Sequence, residues 1–581
     1  MKKLLALLLA LSLCLCGLSA AVAEDDYIPD SEFSEQQLED AKLYKDYSGQ
    51  GKSFTLAKAI TIDAALPEGQ TVEDNLWIDL FKINFGVEPI VEWYAAAGDA
   101  YNQKVSMCIA SDDIPDYMEV NVNQWRMLAK SGMLADLTDY YEHNITASTR
   151  KKFADIDDKP LKVVTYKGQI TGYPSINPGA DSGSLVWLRT DWLDNLGLEE
   201  PQSYEDLTAI LDAFVNRDPD GNGQNDTVGL IIAPDGYKST GAQTGNTGEM
   251  FLRYGAGVGM WIRDEAGEVS YGSIDRNAVS CLEQLNAWYK AGLIHQDWVS
   301  LGDNLRQDIS AGRCGAFFGP WWESWNLADS VVNDPKAVWK SYGFTADDGK
   351  FYVGMTDPAA SIAVISADAE DPEMIWQLLV VGRPIASVRS RALQKAREEA
   401  NAAAMAAGLE HSYQPFRLNV STVMTVENNY RYIWGIHNGT LTWEDCDREY
   451  FENNGGVMHF DPASCYDAKV TKYYLNVLER ENPYEDIGEW SNGMGYGVGV
   501  APMAQDNCER LYNDFIGQTE TMATKWAYLQ TMEEEAYTKM ILGDTDGLSI
   551  SDYFDKFVDE WKAQGGEKIT EEVQAWVDAR S

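Results

Sequence analysis

Side-chain oxygens recur at the spacing of calcium ligands in residues 218–229, Asp-Pro-Asp-Gly-Asn-Gly-Gln-Asn-Asp-Thr-Val-Gly. A tight loop wraps a hard divalent cation with oxygens at loop positions 1, 3, 5, 7 and 9. These positions hold Asp218, Asp220, Asn222, Gln224 (through its backbone carbonyl) and Asp226. Gly223 permits the sharp turn, because glycine takes positive φ at little cost. The pattern predicts a calcium site; an Asp/Asn/Gly-rich turn without a metal is the alternative.

The flanks of this loop differ from those of an EF-hand. Position 12 is Gly229, where an EF-hand has a bidentate glutamate. A helix is predicted before the loop, but the apolar run 228–233 after it is typical of a strand. We therefore expect a clip that joins a helix to a strand and stabilises the fold, with no part in chemistry. A calcium clip also suits a compartment outside the cytoplasm.

The first residues have the pattern of a secretory signal peptide, residues 1–23. Two lysines precede an apolar run at 4–18, and Ala21-Val22-Ala23 supplies small residues for cleavage. Cys14 and Cys16 each follow a leucine, where a lipobox needs a small residue, so cleavage after residue 23 is favoured over lipid anchoring. No later run is long and apolar enough to cross a bilayer. We expect a secreted protein, extracellular or at the cell surface.

Charge and length limit the possible functions. A formal net charge of −45 over 581 residues repels nucleic acid, and it disfavours polyanionic ligands unless the site is locally basic. Six cysteines follow the predicted signal peptide without any CxxC pair, which favours core thiols over a disulfide framework or a zinc site. The chain is longer than a single core usually supports, so two or more domains are expected.

Strand and helix patterns alternate after a predicted flexible, acidic N-terminal arm at 24–53. Strand-like runs at 54–62, 89–94 and 117–120 are separated by helical apolar spacing, which predicts a doubly wound α/β lobe. Such sheets bind ligands in loops at the carboxyl ends of their strands. Asp116 is expected in such a loop; capping of the turn that follows is the alternative.

A segment rich in Pro, Gly and Ser at 172–188 predicts a crossing into a second lobe, and 352–365 is expected to cross back as a strand. In the second lobe, Ser203 is predicted to cap a helix that runs directly into the calcium loop. An alanine-rich stretch at 396–408 is expected to be helical. The predicted lobes comprise 54–178 with about 359–425, and 179–358 with about 426–581.

Several segments, taken in this order, resemble the large lipoprotein-type extracellular solute-binding proteins of carbohydrate ABC importers, the group that includes alginate-binding proteins. They are Asp74–Trp77, Tyr101–Lys104 through Asp116, Arg189–Leu198, Asp218–Thr227, and Phe554–Trp561 with Gly565-Gly566. The resemblance implies the type II periplasmic-binding-protein-like α/β fold, with two doubly wound lobes, crossing hinge segments and a sugar between the lobes. It also implies calcium in the loop, and a further acidic ligand of some relatives would fall on Thr227.

The abundance of aromatic residues agrees with a sugar ligand. Sugar rings offer flat C–H faces to aromatic rings and hydroxyls to carboxylates and amides, and this chain has 19 Trp and 30 Tyr. The stretch 317–325 fits neither strand nor helix periodicity, as expected of a cleft loop. Core packing is the alternative for each ring. The candidate sugar-binding residues are Asp116, Tyr173, Trp187, Trp321, Trp322, Glu323, Trp434 and Trp443.

The sequence leaves three functions open. The resemblance predicts a monomeric, non-catalytic protein that binds an oligosaccharide and delivers it to the permease subunits of an ABC transporter. A secreted glycoside hydrolase or lyase would need two carboxylates across the sugar, and a pair such as Asp116 and Glu323 is not excluded by sequence. A lectin without a transport role is the third. Five histidines and the lack of a nucleophile-elbow motif offer little to other hydrolytic chemistry.

Overall fold

The computed structural model describes residues 26–61, 66–176, 179–355, 357, 359–396, 399, 411–418, 420, 422–453, 460, 462 and 465–578. The predicted signal peptide, Pro178 of the first crossing and most of the stretch 396–408 lie outside these residues. Within the described part, no helix has the length and apolar character needed to cross a membrane.

The strands are short. In chain order they are β1 (Lys52–Ile60), β2 (Val87–Ala96), β3 (Tyr117–Val120), β4 (Thr165–Tyr166), β5 (Gln169–Ile170), β6 (Tyr173–Pro174), β7 (Ser184–Arg189), β8 (Val228–Ile231), β9 (Trp261–Arg263), β10 (Val269–Tyr271), β11 (Cys314–Pro320), β12 (Trp339–Tyr342), β13 (Phe351–Gly354), β14 (Ile362–Ile365) and β15 (Cys508–Leu511).

The α-helices make up a larger share of the chain. In order they are α1 (Glu35–Leu43), α2 (Leu76–Phe85), α3 (Asp99–Ser111), α4 (Val122–Ser131), α5 (Thr138–His143), α6 (Ala147–Ala154), α7 (Lys159–Val163), α8 (Thr190–Leu196), α9 (Tyr204–Asn216), α10 (Gly248–Arg253), α11 (Ala278–Lys290), α12 (Trp298–Leu301), α13 (Leu305–Ser310), α14 (Ala328–Asn333), α15 (Pro372–Trp376), α16 (Thr425–His437), α17 (Trp443–Asn453), α18 (Tyr466–Glu479), α19 (Ile487–Met494), α20 (Met522–Leu542), α21 (Ile550–Trp561) and α22 (Glu567–Asp578).

The chain divides into two compact units. The first takes its described residues from Met1–Asn177, Pro358–Thr422 and Asp447–His459, and the second from Pro178–Asp357, Val423–Cys446 and Phe460–Ser581. The sequence analysis put the corresponding lobe boundaries at 178, 358 and about 425. It did not anticipate that the segment 447–459 groups with the first unit.

A five-stranded mixed sheet in the order β2-β1-β3-β14-β6 forms the centre of the first unit. β1 is parallel to β2 and β3, whereas β14 is antiparallel to β3 and β6. The predicted strand–helix alternation is present, with α2 after β1 and α3 after β2. Asn75 begins α2 by accepting hydrogen bonds from the backbone N–H groups of Trp77 and Ile78, which satisfies donors that have no partner inside the helix.

The prediction of a flexible arm at 24–53 is wrong for the residues that the structure describes, because residues 35–43 form α1. Ser34 and Gln37 make a reciprocal capping box, which satisfies both ends of the first turn. The arm also buries Ile28 and Tyr47, and Tyr47 Oη donates to Gln377 Oε1 at 3.2 Å. Low hydrophobicity misled the prediction, because a few well-placed apolar residues are enough to fix this segment.

A four-stranded mixed sheet in the order β12-β7-β11-β8 forms the centre of the second unit. Every residue of β11 is buried, and β11 includes residues 317–320 of the aromatic stretch 317–325 that fitted no periodicity. A strand covered on both faces shows no alternation of apolar and polar residues, which explains why the pattern was missed. The remaining five residues, Trp321–Trp325, form a 3₁₀ helix directly after the strand.

The segment that leads to the calcium loop forms as predicted. Ser203 Oγ accepts from the backbone N–H of Asp206 at 3.1 Å and begins α9. α9 buries an apolar stripe and ends at residue 216, and β8 follows the loop. The expected single strand at 352–365 is instead two strands. β13 pairs with β15 within the second unit, and β14 belongs to the sheet of the first.

Candidate functional site

One apolar cluster in the second unit carries several aromatic rings with partly exposed faces. Its buried members include Trp321, Ile433, Tyr474, Tyr496 and Met503. The partly buried rings packed on it are those of Trp322, Tyr430, Trp434, Tyr473 and Tyr512. Rings held firmly on one side and open on the other can stack on a sugar, which needs a rigid apolar surface.

Helix α16 presents one face of this cluster to a cavity of about 610 Å³. The lining residues of α16 recur at three- and four-residue intervals, as expected for a single helical face. The polar lining consists of Glu427, Asn428, Arg431, Asn438, Thr440, Gln505, Asp506 and Arg510. The apolar lining includes Met424, Tyr430, Trp434, Leu441, Met503 and Cys508. The cavity thus combines ring faces with hydrogen-bonding groups in a volume that suits a small glycan.

Trp434 is the predicted sugar-binding residue that this cavity contains. Its Nε1 donates to the Gly497 carbonyl at 2.9 Å, and its ring meets Tyr474 edge-on at 5.7 Å between ring centres. These contacts fix the indole. The Tyr430 ring lies 6.3 Å away at an angle of 52°. The two rings therefore form a fixed aromatic corner.

An ion pair between half-buried Arg510 and buried Glu427 forms part of the cavity wall. Arg510 Nε and Nη2 both donate to Glu427 Oε1, at 3.1 and 2.8 Å. Glu427 is 4% exposed, and its second oxygen, Oε2, has no hydrogen-bond partner. Burial raises the pKa of the Glu427 carboxyl, and the Arg510 charge opposes that rise. A buried acceptor without a partner costs free energy, so Glu427 keeps hydrogen-bonding capacity that a ligand hydroxyl could use.

The turn Trp321–Trp325 lies on the same apolar cluster. Trp321 is 4% exposed and donates from Nε1 to Asp181 Oδ1 at 3.0 Å, while Trp322 donates to the Asp181 carbonyl at 3.3 Å. Desolvation raises the pKa of the Asp181 carboxyl, and the bond from Trp321 opposes that rise. Trp322 keeps part of its ring exposed and remains a predicted stacking residue; Trp321 packs against Tyr496 at 4.6 Å.

Glu323 lies in the same turn but is fully engaged within the protein. It is 1% exposed; Oε1 accepts from Thr244 Oγ1 at 2.6 Å and Oε2 from Asn326 Nδ2 at 2.9 Å. Burial raises the pKa of its carboxyl. Both oxygens are satisfied, so this geometry favours a structural role over contact with a sugar.

Two other predicted aromatics lie in cores. Trp187 is 1% exposed and donates to the Pro320 carbonyl at 3.0 Å. Tyr173 is 4% exposed, with Phe153 and Trp376 edge-on at 5.8 and 5.5 Å. These surroundings favour core packing, the alternative that the sequence left open for both residues.

Asp116 and Trp443 are not among the residues that line the cavity. Asp116 immediately precedes β3, so it is at the amino end of that strand, and its expected place in a carboxyl-end loop is wrong. Its Oδ2 accepts from the backbone N–H and Oγ1 of Thr55 at 2.8 and 3.1 Å and thereby ties β3 to β1. Trp443 begins α17 and packs on Phe460 at 5.7 Å. As a sugar ligand it stays a prediction.

The predicted calcium loop is held by hydrogen bonds among its own residues. Asp218 Oδ2 accepts from the backbone N–H of Gly223 at 3.0 Å, and both residues have positive φ. Asn222 Nδ2 donates to Asp220 Oδ2 at 2.8 Å and to Asp226 Oδ1 at 3.1 Å. One amide group thus bridges two carboxylates. Outside the ring of proposed ligands, Thr227 Oγ1 donates to the Phe214 carbonyl, which engages its hydroxyl.

The loop residues fit a calcium ion in two respects. Asp218 Oδ1 is buried without a hydrogen-bond partner, and burial together with the nearby Asp218 and Asp226 carboxylates raises the pKa of Asp220. Both features indicate negative charge that a cation would neutralise. Among the described residues, however, no group of three or more His, Cys, Asp or Glu side chains is arranged to hold a metal. Asn222 and a backbone carbonyl would have to complete the set.

A second cavity, of about 810 Å³, lies in the first unit beside α1. Its lining is dominated by charged side chains, and Arg383 covers the Tyr44 ring at 5.4 Å. The ring face is therefore occupied by a cation. The cavity on α16 is the better candidate for a sugar.

Several lining residues of the α16 cavity were missed by sequence analysis, among them Glu427, Tyr430 and Arg510. The helical spacing of 424, 427, 431, 434 and 438 was present in the sequence and could have indicated a shared face. Arg510 comes from a strand more than seventy residues later, and its partnership with Glu427 leaves no local signal.

The comparisons with known proteins confirm the predicted fold class, the α/β fold of solute-binding proteins. The structure matches an "HMO binding ABC-transporter associated Solute Binding Protein" from Bifidobacterium longum infantis with a TM-score of 0.53. The match covers 91% of this chain and 99% of that one at 15% sequence identity, and at this identity it shows a shared fold alone. No family model matches the chain.

Two curated relatives are similar in sequence. The fructooligosaccharide ABC transporter substrate-binding protein FusA of Streptococcus pneumoniae is 29% identical over 206 residues, 32% of this chain and 36% of FusA. Lipoprotein LipO of Bacillus subtilis is 26% identical over 240 residues, 40% of this chain and 43% of LipO. The predicted resemblance to sugar-binding proteins of ABC transporters is confirmed. The chain matches less than half the length of each relative.

Proposed function

We propose that this protein binds an oligosaccharide outside the cytoplasm and delivers it to the permease of an ABC transporter without altering it. The observation that carries the proposal is the cavity on α16, where fixed rings of Tyr430 and Trp434 face a wall of hydrogen-bonding groups. Apolar ring faces with a few placed polar groups are what a sugar site requires. The similarity to FusA supports an oligosaccharide as the ligand class.

A catalytic function has less support from the described carboxylates. A glycosidase needs two carboxyl groups open to the glycosidic bond. Both oxygens of Glu323 are bonded inside the protein, and Asp116 binds Thr55 at the amino end of β3. The pair that sequence left open as a catalytic candidate thus has structural partners. We infer a non-catalytic protein.

Export and a structural calcium ion belong to the same proposal. The signal-peptide pattern at 1–23 supports secretion to the cell exterior. The loop 218–226 would hold calcium through Asp218, Asp220, Asn222, Asp226 and the Gln224 carbonyl. Bound calcium would supply positive charge that draws the loop carboxylates together between α9 and β8.

The direct test is a binding screen of the purified secreted protein against an oligosaccharide panel. Thermal shift should find a stabilising sugar, because a ligand that binds only the folded state raises stability by mass action. Calorimetry then gives the stoichiometry, with one sugar per monomer expected. Mass spectrometry of the recovered glycan should show it unchanged. Shortened products would indicate an enzyme, and a panel with no stabilising member would reject the proposal.

A further inference from the structure

We infer that the Glu427–Arg510 pair makes the α16 cavity selective for neutral oligosaccharides over those that carry uronate groups. This inference rests on the proposed function, because it assigns a ligand class to the same cavity. It concerns the charge of the ligand and leaves its linkage open.

The first step is the balance of charge around the cavity. The charged lining residues are Glu427, Arg431, Asp506 and Arg510, which sum to zero. Asp506 and Arg431 are exposed, so solvent and salt screen them, whereas Glu427 is buried. Arg510 is half-buried beside Glu427, so these two charges lie together in the less exposed part of the lining and largely offset each other.

The second step is the state of Arg510. A guanidinium is the usual partner for a sugar carboxylate, since its fork of N–H groups fits two oxygens. Here Nε and Nη2 already donate to Glu427 Oε1, and Nη2 also donates to the Met503 carbonyl at 3.0 Å. The Nε–Nη2 edge of Arg510 is therefore occupied by the protein's own carboxylate and the Met503 carbonyl.

The third step is the hydrogen-bonding capacity that remains. Glu427 Oε2 is an acceptor without a partner. A hydroxyl can donate to it, whereas an ionised uronate brings only acceptors and a like charge. Asp181 adds negative charge near Glu427. The cavity thus offers an acceptor to hydroxyl donors, whereas its half-buried guanidinium is already engaged by Glu427 and not by a ligand carboxylate.

The test compares wild type with Glu427→Gln against neutral trisaccharides (kestose, maltotriose, cellotriose) and acidic ones (trigalacturonate, trimannuronate), with affinities from calorimetry. Wild type should bind at least one neutral sugar and prefer it to every uronate. Glu427→Gln keeps the shape but frees the charge of Arg510, so the ratio of uronate to neutral affinity should rise by about tenfold or more.

Glu509→Gln is the matched control. Glu509 lies next to Arg510 on β15, is partly exposed and pairs with Lys350 at 3.0 Å, and it does not line the cavity. Its removal should leave the ratio unchanged. If Glu427→Gln does not fold, judged by circular dichroism, Asp506→Asn serves in its place. This exposed residue lines the cavity, and its substitution should raise the ratio of uronate to neutral affinity by about two- to threefold. In wild type, added salt should weaken the preference for neutral sugars, because salt screens an exposed charge.

The outcomes separate the two proposals. Wild-type binding of a uronate in preference to all neutral sugars would overturn the charge selectivity while supporting sugar binding. An unchanged ratio in a folded Glu427→Gln variant would also overturn it. Binding of neither class by wild type would reject the proposed function itself.

Discussion

The turn Trp321–Trp325 and helix α16 pack on the same apolar cluster through tryptophans, and each also carries a buried glutamate. In the turn, both oxygens of Glu323 have partners within the protein. In the helix, one oxygen of Glu427 is bonded to Arg510 and the other has no partner. A fully satisfied buried carboxylate holds a fold together, whereas a half-satisfied one beside a cavity retains capacity for a ligand.

The largest expected effect comes from breaking the satisfied network. Glu323→Ala leaves the Thr244 hydroxyl and the Asn326 amide without their acceptors, so the free energy of unfolding should fall by about 3 kcal/mol. Urea denaturation measures the change. Sugar affinity of the remaining folded protein should stay within about twofold of wild type. A stable variant with lost affinity would instead place Glu323 in the binding site.

A third buried glutamate extends the comparison to pH. Burial raises the pKa of Glu249 to about 7, although Tyr204 Oη donates to its carboxylate. The folded state then holds a proton that the unfolded state releases near pH 4.5, so this group's contribution to stability should fall as pH rises from about 4.5 to 7, by about 2 to 3 kcal/mol. Denaturation measured across this pH range should show that the free energy of unfolding falls less steeply with pH in Glu249→Gln than in wild type. An identical pH profile for the variant would contradict the raised pKa.

Calcium removal should have the next largest effect. At 1 mM calcium and a Kd of about 10 to 100 μM, binding stabilises the fold by about 1.4 to 2.7 kcal/mol. Chelation should lower the Tm of wild type but not of Asp220→Ala. Exposed Asp559→Ala is the control and should keep the wild-type response. If wild type is shown to be loaded with calcium and its Tm does not change on chelation, the calcium site is rejected.

The smallest of these effects concerns the aromatic surface. Trp434→Ala removes a ring from the cavity wall and should weaken sugar binding about tenfold, or about 1.4 kcal/mol, without unfolding the protein. Trp443→Ala is matched in residue type but lies against Phe460 outside the cavity. If Trp443→Ala lowers the sugar affinity more than Trp434→Ala does, the sugar site lies near α17 instead.

The sequence predicted local features well. The capped start of α9, the loop before β8 and the alternation in the first unit follow from short-range patterns of turn residues and apolar spacing. Strand β11 was missed because burial on both faces removes the alternation. The arm was misjudged because its order depends on contacts such as Tyr47 with Gln377, far away in the chain.

The site was only partly predictable for a similar reason. Aromatic content indicated a sugar, and Trp434 was among the candidates, but Trp187 and Trp434 look alike in sequence. One donates to Pro320 inside the sheet and the other lines a cavity. Glu323 and Glu427 differ in whether both carboxylate oxygens have hydrogen-bond partners, and this depends in part on residues distant in the chain, such as Thr244 and Arg510.

Protection of Cys508 from a neutral thiol reagent tests most directly whether the sugar occupies the α16 cavity. Cys508 lines the cavity, and Cys108, in the first unit, is the other described cysteine with partial exposure. The rates at which N-ethylmaleimide modifies the two thiols can be measured by mass spectrometry in one sample. The reaction is run at mildly alkaline pH, because burial raises the pKa of both thiols. With sugar at ten times its Kd, modification of Cys508 should slow about tenfold while Cys108 is unaffected. Equal Cys508 rates with and without saturating sugar would contradict the account.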